Sequence, residues 1–323
     1  MLSRVAENLY WMARYLERAE NTARLINSMT QVLLDLPKSA YFGWDLLLQI
    51  VGLDCANRER YPQADEDSIM HLLVSDTHNR SSILSCVHLA RENARTVREV
   101  LPMEIWERIN QLFLYVRESA PQAVKSRGPR YEMLNGVIER RESIIGLLSG
   151  SMSRDDAHHF MQLGRFVERA DMTTRIVDIH FAVHMPDDSA LATLTRERSW
   201  IGTLTALSAY QAYRRQVGVH VEAAAVTNFI LKDRNFPRSV SYCLSELDQA
   251  LASLPHNDEP LCALQDGRNR LVGTDIAALD WQTMHHFLDK MQADLGKLHS
   301  AIAAQYFHLH HTKAAADAAV HND

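Results

Sequence analysis

The chain has 323 residues, 34 Lys plus Arg against 40 Asp plus Glu, and a formal net charge of −6. Hydrophobic residues make up 46% and charged residues 23%, which fits an ordinary globular protein with a sizeable core, while net acidity argues against bulk nucleic-acid binding, which needs a basic footprint. Only 12 Gly and 9 Pro are present, too few for the turns of a barrel or sandwich or for glycine-rich nucleotide loops, so a mostly helical protein remains.

The first predicted element is long. Val5, Leu9, Met12, Leu16, Ala19, Ala23, Ile26, Met29 and Leu33 recur in steps of three and four, the period of a helix packed along one stripe. Ser3 is its expected N-cap and Pro37 its end, giving about 30 residues and about 45 Å. Short helices are predicted over 42–51 and 66–74, and longer ones over 82–100 and 102–119. Pro121 to Pro129 is read as a loop. Helices follow over 132–148, 154–183, 200–215, 219–231, 238–254, 259–272 and 279–306. No run alternates like a strand. Residues 312–323 are Ala-rich and polar with no apolar stripe, and are expected to be a disordered tail.

No stretch of about 18 apolar residues and no signal peptide is evident, so no membrane span and a cytoplasmic location are expected. Cys55, Cys86, Cys243 and Cys262 are widely spaced, which argues against disulfides and against a cysteine zinc site.

The chain also repeats itself. Arg14-Tyr15-Leu16-Glu17-Arg18-Ala19-Glu20-Asn21-Thr22-Ala23-Arg24-Leu25 returns as Arg165-Phe166-Val167-Glu168-Arg169-Ala170-Asp171-Met172-Thr173-Thr174-Arg175-Ile176. The echo continues in order through Trp44 and Trp200, Asp76 and Asp233, Ser82 and Ser239, and Cys86 and Cys243. These matches predict an all-α helical bundle of two tandem, diverged repeats packed about a pseudo-two-fold, with two long spine helices. The expected division is a single domain over 1–311, with repeat one at about 1–130, a linking helix at about 131–150 and repeat two at about 151–306. Ala13, Ala19 and Ala23 match Gly164, Ala170 and Thr174, small residues that permit close helix contact.

The repeated charges nominate candidate residues: Arg14, Glu17, Arg18, Glu20 and Arg24 in the first copy, and Arg165, Glu168, Arg169, Asp171 and Arg175 in the second. One reading is a partly buried Arg–carboxylate network that locks the long helices in register, since an Arg fork pairs a carboxylate with two hydrogen bonds. The other is an anion- or carboxylate-binding cleft. Acid–base catalysis by Glu17 or Glu168 is disfavoured, because neighbouring Arg lowers a carboxyl pKa. Ser82 and Ser239 read as N-caps after an Asp turn. A nucleophilic Ser would need a base and an oxyanion hole. His180 with His184, the group Asp155, Asp156, His158 and His159, and the group His308, His310 and His311 are read as surface or packing residues, not metal ligands. Tyr210, Tyr213, Arg214 and Arg215 are expected to stack within the fold.

The opening Met1-Leu2-Ser3-Arg4-Val5-Ala6-Glu7-Asn8-Leu9-Tyr10-Trp11, followed by Arg14 to Glu20, resembles the alpha-E family of bacterial helical proteins, named for its Glu-Arg motif. Ala90-Arg91-Glu92-Asn93-Ala94-Arg95, Gly164 to Asp171 and Phe236-Pro237-Arg238-Ser239-Val240 add to the resemblance, which runs from about residue 1 to 307. Ala157-His158-His159-Phe160 departs from it where similar proteins carry an aromatic. The resemblance implies an all-helical cytoplasmic protein that accompanies a circularly permuted ATP-grasp type ligase and a transglutaminase-like peptidase, in a pathway that makes or processes peptide-like amide bonds. It carries over no catalytic residue, metal or cofactor. The expected function is therefore a non-catalytic partner or scaffold of the ligase. The alternatives are an enzyme or carboxylate-peptide binder using the Arg–Glu cleft, and a structural homo-oligomer.

Overall fold

A computed structural model describes residues 1–35, 44–50, 65–182 and 190–307. Every element assigned among them is helical. In chain order they are α1 (Ser3–Asp35), α2 (Asp45–Ile50), α3 (Glu66–Met70, continuing as a π-helical turn over His71–Ser75), α4 (Ile83–Thr96), α5 (Met103–Lys125), α6 (Arg127–Ser151) and α7 (Asp156–Ala182). Then come α8 (Ala190–Ala206), α9 (Tyr210–Gln216), α10 (Ala223–Lys232), α11 (Val240–Ala252), α12 (Asp258–Gly273), a 3-10 turn (Ile276–Ala278) and α13 (Trp281–Tyr306). No helix among the described residues is long and apolar enough to cross a membrane. The expected tail at 312–323, with Pro37, Cys55, His184, His308, His310 and His311, lies outside the described residues.

The long helices α1 and α7 lie against each other at the centre. The apolar stripe of α1 is buried as its spacing required: Leu9, Met12, Leu16, Ala19, Ala23 and Ile26 are all inside. α4 and α6 pack on α1, and α11 and α13 pack on α7. Consecutive helices then lean on each other, α4 on α5 and α5 on α6, and α11 on α12 and α12 on α13. At the crossing of α1 and α7 a Cβ on Gly164 would lie 2.1 Å from the Tyr10 carbonyl oxygen. Any side chain there would push the two spines apart.

Several boundaries differ from the sequence expectation. The carbonyl of Leu2 accepts from the Val5 and Ala6 N–H groups at 2.9 and 3.1 Å, so Ser3 is the first helical residue and not the cap. The loop expected over 121–129 is helix apart from Ser126, the single residue between α5 and α6. Buried Arg130 allows the sharp turn: its Nε donates to the Ala123 carbonyl at 3.0 Å and its Nη2 to that of Val124 at 3.2 Å, taking acceptors that a helix end leaves open. Pro129 sits in the first turn of α6, where a missing N–H has no helical partner to lose. The helix expected over 200–215 begins earlier and is split, because Ser208 turns to φ 55 and parts α8 from α9. Trp200 therefore lies inside α8, whereas Trp44 directly precedes α2.

Candidate functional site

The repeated charges meet where α1 crosses α7, and they meet crosswise. Arg18 of the first copy grips Glu168 of the second, with Nε donating to Oε1 at 2.5 Å and Nη2 to Oε2 at 2.9 Å. Arg169 of the second copy grips Glu17 of the first in the same fork, at 2.6 and 3.0 Å. Both carboxylates are buried. This is the bidentate geometry for which the planar guanidinium is suited.

Around these clamps the residues divide into two open clefts. The Glu168-side cleft, 330 Å³ in volume, is lined by Arg14, Arg18, Ser81, Glu168, Asp171, Arg175 and His299 among others. Arg14 Nε donates to Glu168 Oε2 at 2.8 Å, and Arg175 Nε to Asp171 at 2.9 Å. His299 Nδ1 lies 2.9 Å from the Tyr10 hydroxyl. The Glu17-side cleft, 280 Å³, is lined by Glu20, Arg24, Arg141, Glu142, Arg165, Arg169, Ser208 and Arg238 among others. Glu20 binds Arg24 at 2.6 Å, Arg141 at 2.6 Å and Arg238 at 2.5 Å. Arg141 also donates to Glu17. Arg24 reaches Ser208 Oγ at 2.7 Å and Glu142 at 2.5 Å, and the left-handed turn at Ser208 positions that hydroxyl.

The electrostatics follow from burial set against charge. Burial alone would raise the Glu17 carboxyl, but Arg141, Arg169 and Arg238 outweigh it and hold the group well below the usual carboxylate range. Burial likewise opposes ionisation of Glu168, and Arg18 and Arg14 overcome it, drawing the carboxyl down to about 2. Both are fixed anions at neutral pH, unable to donate a proton. His299 is pushed down to about 4 by burial and then by Arg14, so its ring is neutral in the cleft.

All ten residues nominated by the repeat are thus in or behind the clefts. Arg14, Arg18, Glu168, Asp171 and Arg175 form one, and Glu17, Glu20, Arg24, Arg165 and Arg169 the other. Two clefts stand where one shared cleft was expected. The sequence reading missed Arg141 and Arg238 as site residues. Arg141 carried a signal: it interrupts the buried series Met133, Leu134, Val137, Ile144 and Leu148 on α6 at a position the helical period makes internal.

The other candidates behave as structure. Ser82 Oγ accepts from the Ser85 N–H at 3.1 Å and Ser239 Oγ from that of Tyr242 at 3.0 Å, as N-caps do. Asp76 and Asp233 accept from the backbone two residues on, at 2.9 and 2.8 Å. Cys86 and Cys243 are buried, and burial pushes both thiols up to about 12. His180 stacks on Trp200 with centroids 3.8 Å apart and lies 2.6 Å from the Thr203 hydroxyl. The ring nitrogens of His158 lie 3.1 Å from Arg154. Arg214 lies over the Tyr210 ring at 5.7 Å. Among the described residues the groups spaced for a metal are Asp178, His285 and Asp289, of which Asp178 and His285 already hydrogen-bond at 2.6 Å.

Comparison with known proteins points to a family marked by an ER motif. Residues 1–307 match the model of a family, Alpha-E, described as a predicted alpha-helical domain with a conserved ER motif. The ER pairs at the spine crossing are Glu17-Arg18 and Glu168-Arg169. The uncharacterized protein Mb2597 of Mycobacterium bovis is 27% identical over 275 residues, covering 78% of this chain and 30% of that protein. The uncharacterized protein Rv2567 of Mycobacterium tuberculosis is 26% identical over the same shares. The matched stretch is thus under a third of the length of these curated relatives. No solved structure matches the chain.

Proposed function

The chain belongs to the Alpha-E family, and from that premise we propose that it is a non-catalytic partner of an ATP-grasp type ligase that holds the anionic groups of a peptide-like substrate in its two arginine-lined clefts. The ligase and a transglutaminase-like peptidase are the partners, and the pathway forms or processes amide bonds. One observation carries the binding role: both clefts are open and hold more arginines than carboxylates. A network serving register alone would need no such surplus. The locked anionic state of Glu17 and Glu168 favours binding over acid–base chemistry.

The duplication gives this reading its architecture. Under it, α1, α4, α5 and α6 form one copy and α7, α11, α12 and α13 the other, related by a pseudo-two-fold at the α1–α7 crossing. The crosswise clamps are what such an axis generates, residue i meeting j and j meeting i. α6 and α13 fit it, α6 packed on α1 and α13 on α7, with Leu134, Val137, Arg141, Ile144 and Leu148 aligned on Leu288, Met291, Leu295, Leu298 and Ile302. α6 is then the last helix of the first copy and not a link between copies. The whole is one domain in a cytoplasmic protein.

Co-purification of the full chain with the ATP-grasp type ligase tests the proposal. A stable or substrate-dependent complex is expected, together with binding of a triglutamate peptide by the free chain. No association under any nucleotide or substrate condition overturns the partnership.

A further inference from the structure

The two clefts have equivalent clamps and unequal charge. On the Glu168 side Arg14, Arg18 and Arg175 face Glu168 and Asp171, leaving one positive charge. His299 adds none, because its ring is neutral. On the Glu17 side Arg24, Arg141, Arg165, Arg169 and Arg238 face Glu20, Glu142 and the buried Glu17, leaving two. Glu142 is 59% exposed and sits in water at the rim, so the surplus inside is larger still.

The extra charge comes from two positions. Arg238 stands where the other copy has Ser81, and Arg141 stands where α13 has Leu295. The consequence falls on Arg165. Its counterpart Arg14 donates to a carboxylate at 2.8 Å, but Arg141 now occupies Glu17 Oε2. Arg165 is held off at 4.0 Å, and its buried Nε has no hydrogen-bond partner. The Nε of Arg141, a side chain only 4% exposed, is likewise unpaired. Burial, then Arg169 and Arg141, press the Arg165 guanidinium down to about 9. Burial and then Arg169 also oppose charge on Arg238, and Glu20 does not restore it. Like charges without a counter-ion are costly, and an anionic ligand in the cleft relieves that cost.

The convergence identifies the anion. Arg24, Arg141, Arg165, Arg169 and Arg238 line one 280 Å³ cleft, four of them drawn together within 4.0 Å of the Glu17 carboxylate behind it. Guanidinium groups gathered at a point suit a compact tetrahedral group with oxygens in several directions, and Arg forks bind phosphate oxygens in pairs. An extended peptide with spaced carboxylates would want its cations spaced. We infer that the Glu17-side cleft binds a dianionic phosphoryl group, with the part-exposed side chain of Arg165, 19% exposed, as its donor, while the Glu168-side cleft takes a single carboxylate. The inference rests on the anion-binding role proposed above and narrows it to different ligands in the two clefts.

Calorimetric titration of the full chain with inorganic phosphate tests it. One saturable site is expected, not displaced by acetate at equal concentration. Arg165→Gln should weaken phosphate binding by about tenfold or more, since it removes a charged donor. It should not lower the thermal midpoint without phosphate, and should raise it if anything, because Arg165 makes no hydrogen bond to lose and its buried charge opposes folding. Arg165→Lys, which keeps charge without the fork, should fall between the two. Arg95→Gln, on the exposed end of α4, should bind like the parent. Absence of saturable phosphate binding, or equal affinity in Arg165→Gln and the parent, overturns the inference. A chain that binds triglutamate but not phosphate overturns the phosphoryl assignment alone, whereas one that binds neither overturns the anion-binding role as well.

Discussion

Glu17 illustrates how a single buried charge can organise a site without reacting in it. Its carboxylate is fully enclosed and takes hydrogen bonds from Arg169 and Arg141. Replacing it with Gln keeps the shape and removes the charge that neutralises several buried guanidinium groups. Breaking a buried ion pair from one side costs about 3–5 kcal/mol, so Glu17→Gln should lower the thermal midpoint sharply. Glu168→Gln should also destabilise, but less, because fewer arginines depend on Glu168. Thermal denaturation of both variants checks the order. A Glu17→Gln protein as stable as the parent would mean that the clamp does not hold the spines. The contrast with Arg165 separates the two roles within one cleft: the glutamate is structural, whereas Arg165 is available to a ligand.

At the scale of helices, the α1–α7 crossing depends on Gly164. Gly164→Ala places a methyl against the Tyr10 backbone, which cannot swing aside as a flexible side chain could. Overpacking of this kind costs about 1–3 kcal/mol, and chemical denaturation should show the loss. Gly146, inside α6, has no atom within 4 Å of an added Cβ, so Gly146→Ala should stabilise by about 0.5–1 kcal/mol through helix propensity. Helices were readable where one stripe dominated. The α1 series and the Ser82 and Ser239 caps depend on local periodicity and local hydrogen bonds, both visible in sequence. The α5–α6 turn was not readable, because Pro121, Gly128 and Pro129 look like a loop, and only Arg130, placed by the tertiary fold, makes a one-residue turn workable. The clefts were half readable for a related reason. The repeat exposed every residue on α1 and α7, since two copies of one pattern reveal each other. Arg141 and Arg238 have no repeated partner, and only packing brings them to Glu17.

For the whole molecule, buried titratable groups give acid sensitivity in two stages. His158, His180 and His299 are pushed down to about 4, 3 and 4, in each case chiefly by burial, while the unfolded chain titrates them near about 6.5. Between those values the unfolded state binds more protons, so stability rises with pH and is lost as pH falls below about 6.5. Glu17, Glu20 and Glu168 are lowered by their arginines despite burial. Their contribution is complete above the unfolded carboxyl value of about 4.3 and drains away as pH falls toward about 2. His285 runs the other way. Its hydrogen bond to Asp178 raises it, so its contribution is present at low pH and fades as pH rises through the raised value, and at a partly exposed pair that effect is small. The thermal midpoint should therefore decline from about pH 6.5, before Glu17, Glu20 and Glu168 protonate, and steepen below about pH 4. A midpoint that stays flat down to pH 4 would show that the three histidines are protonated in the fold, and that the spine interior, including the wall of the Glu168-side cleft, is wetter than its packing implies.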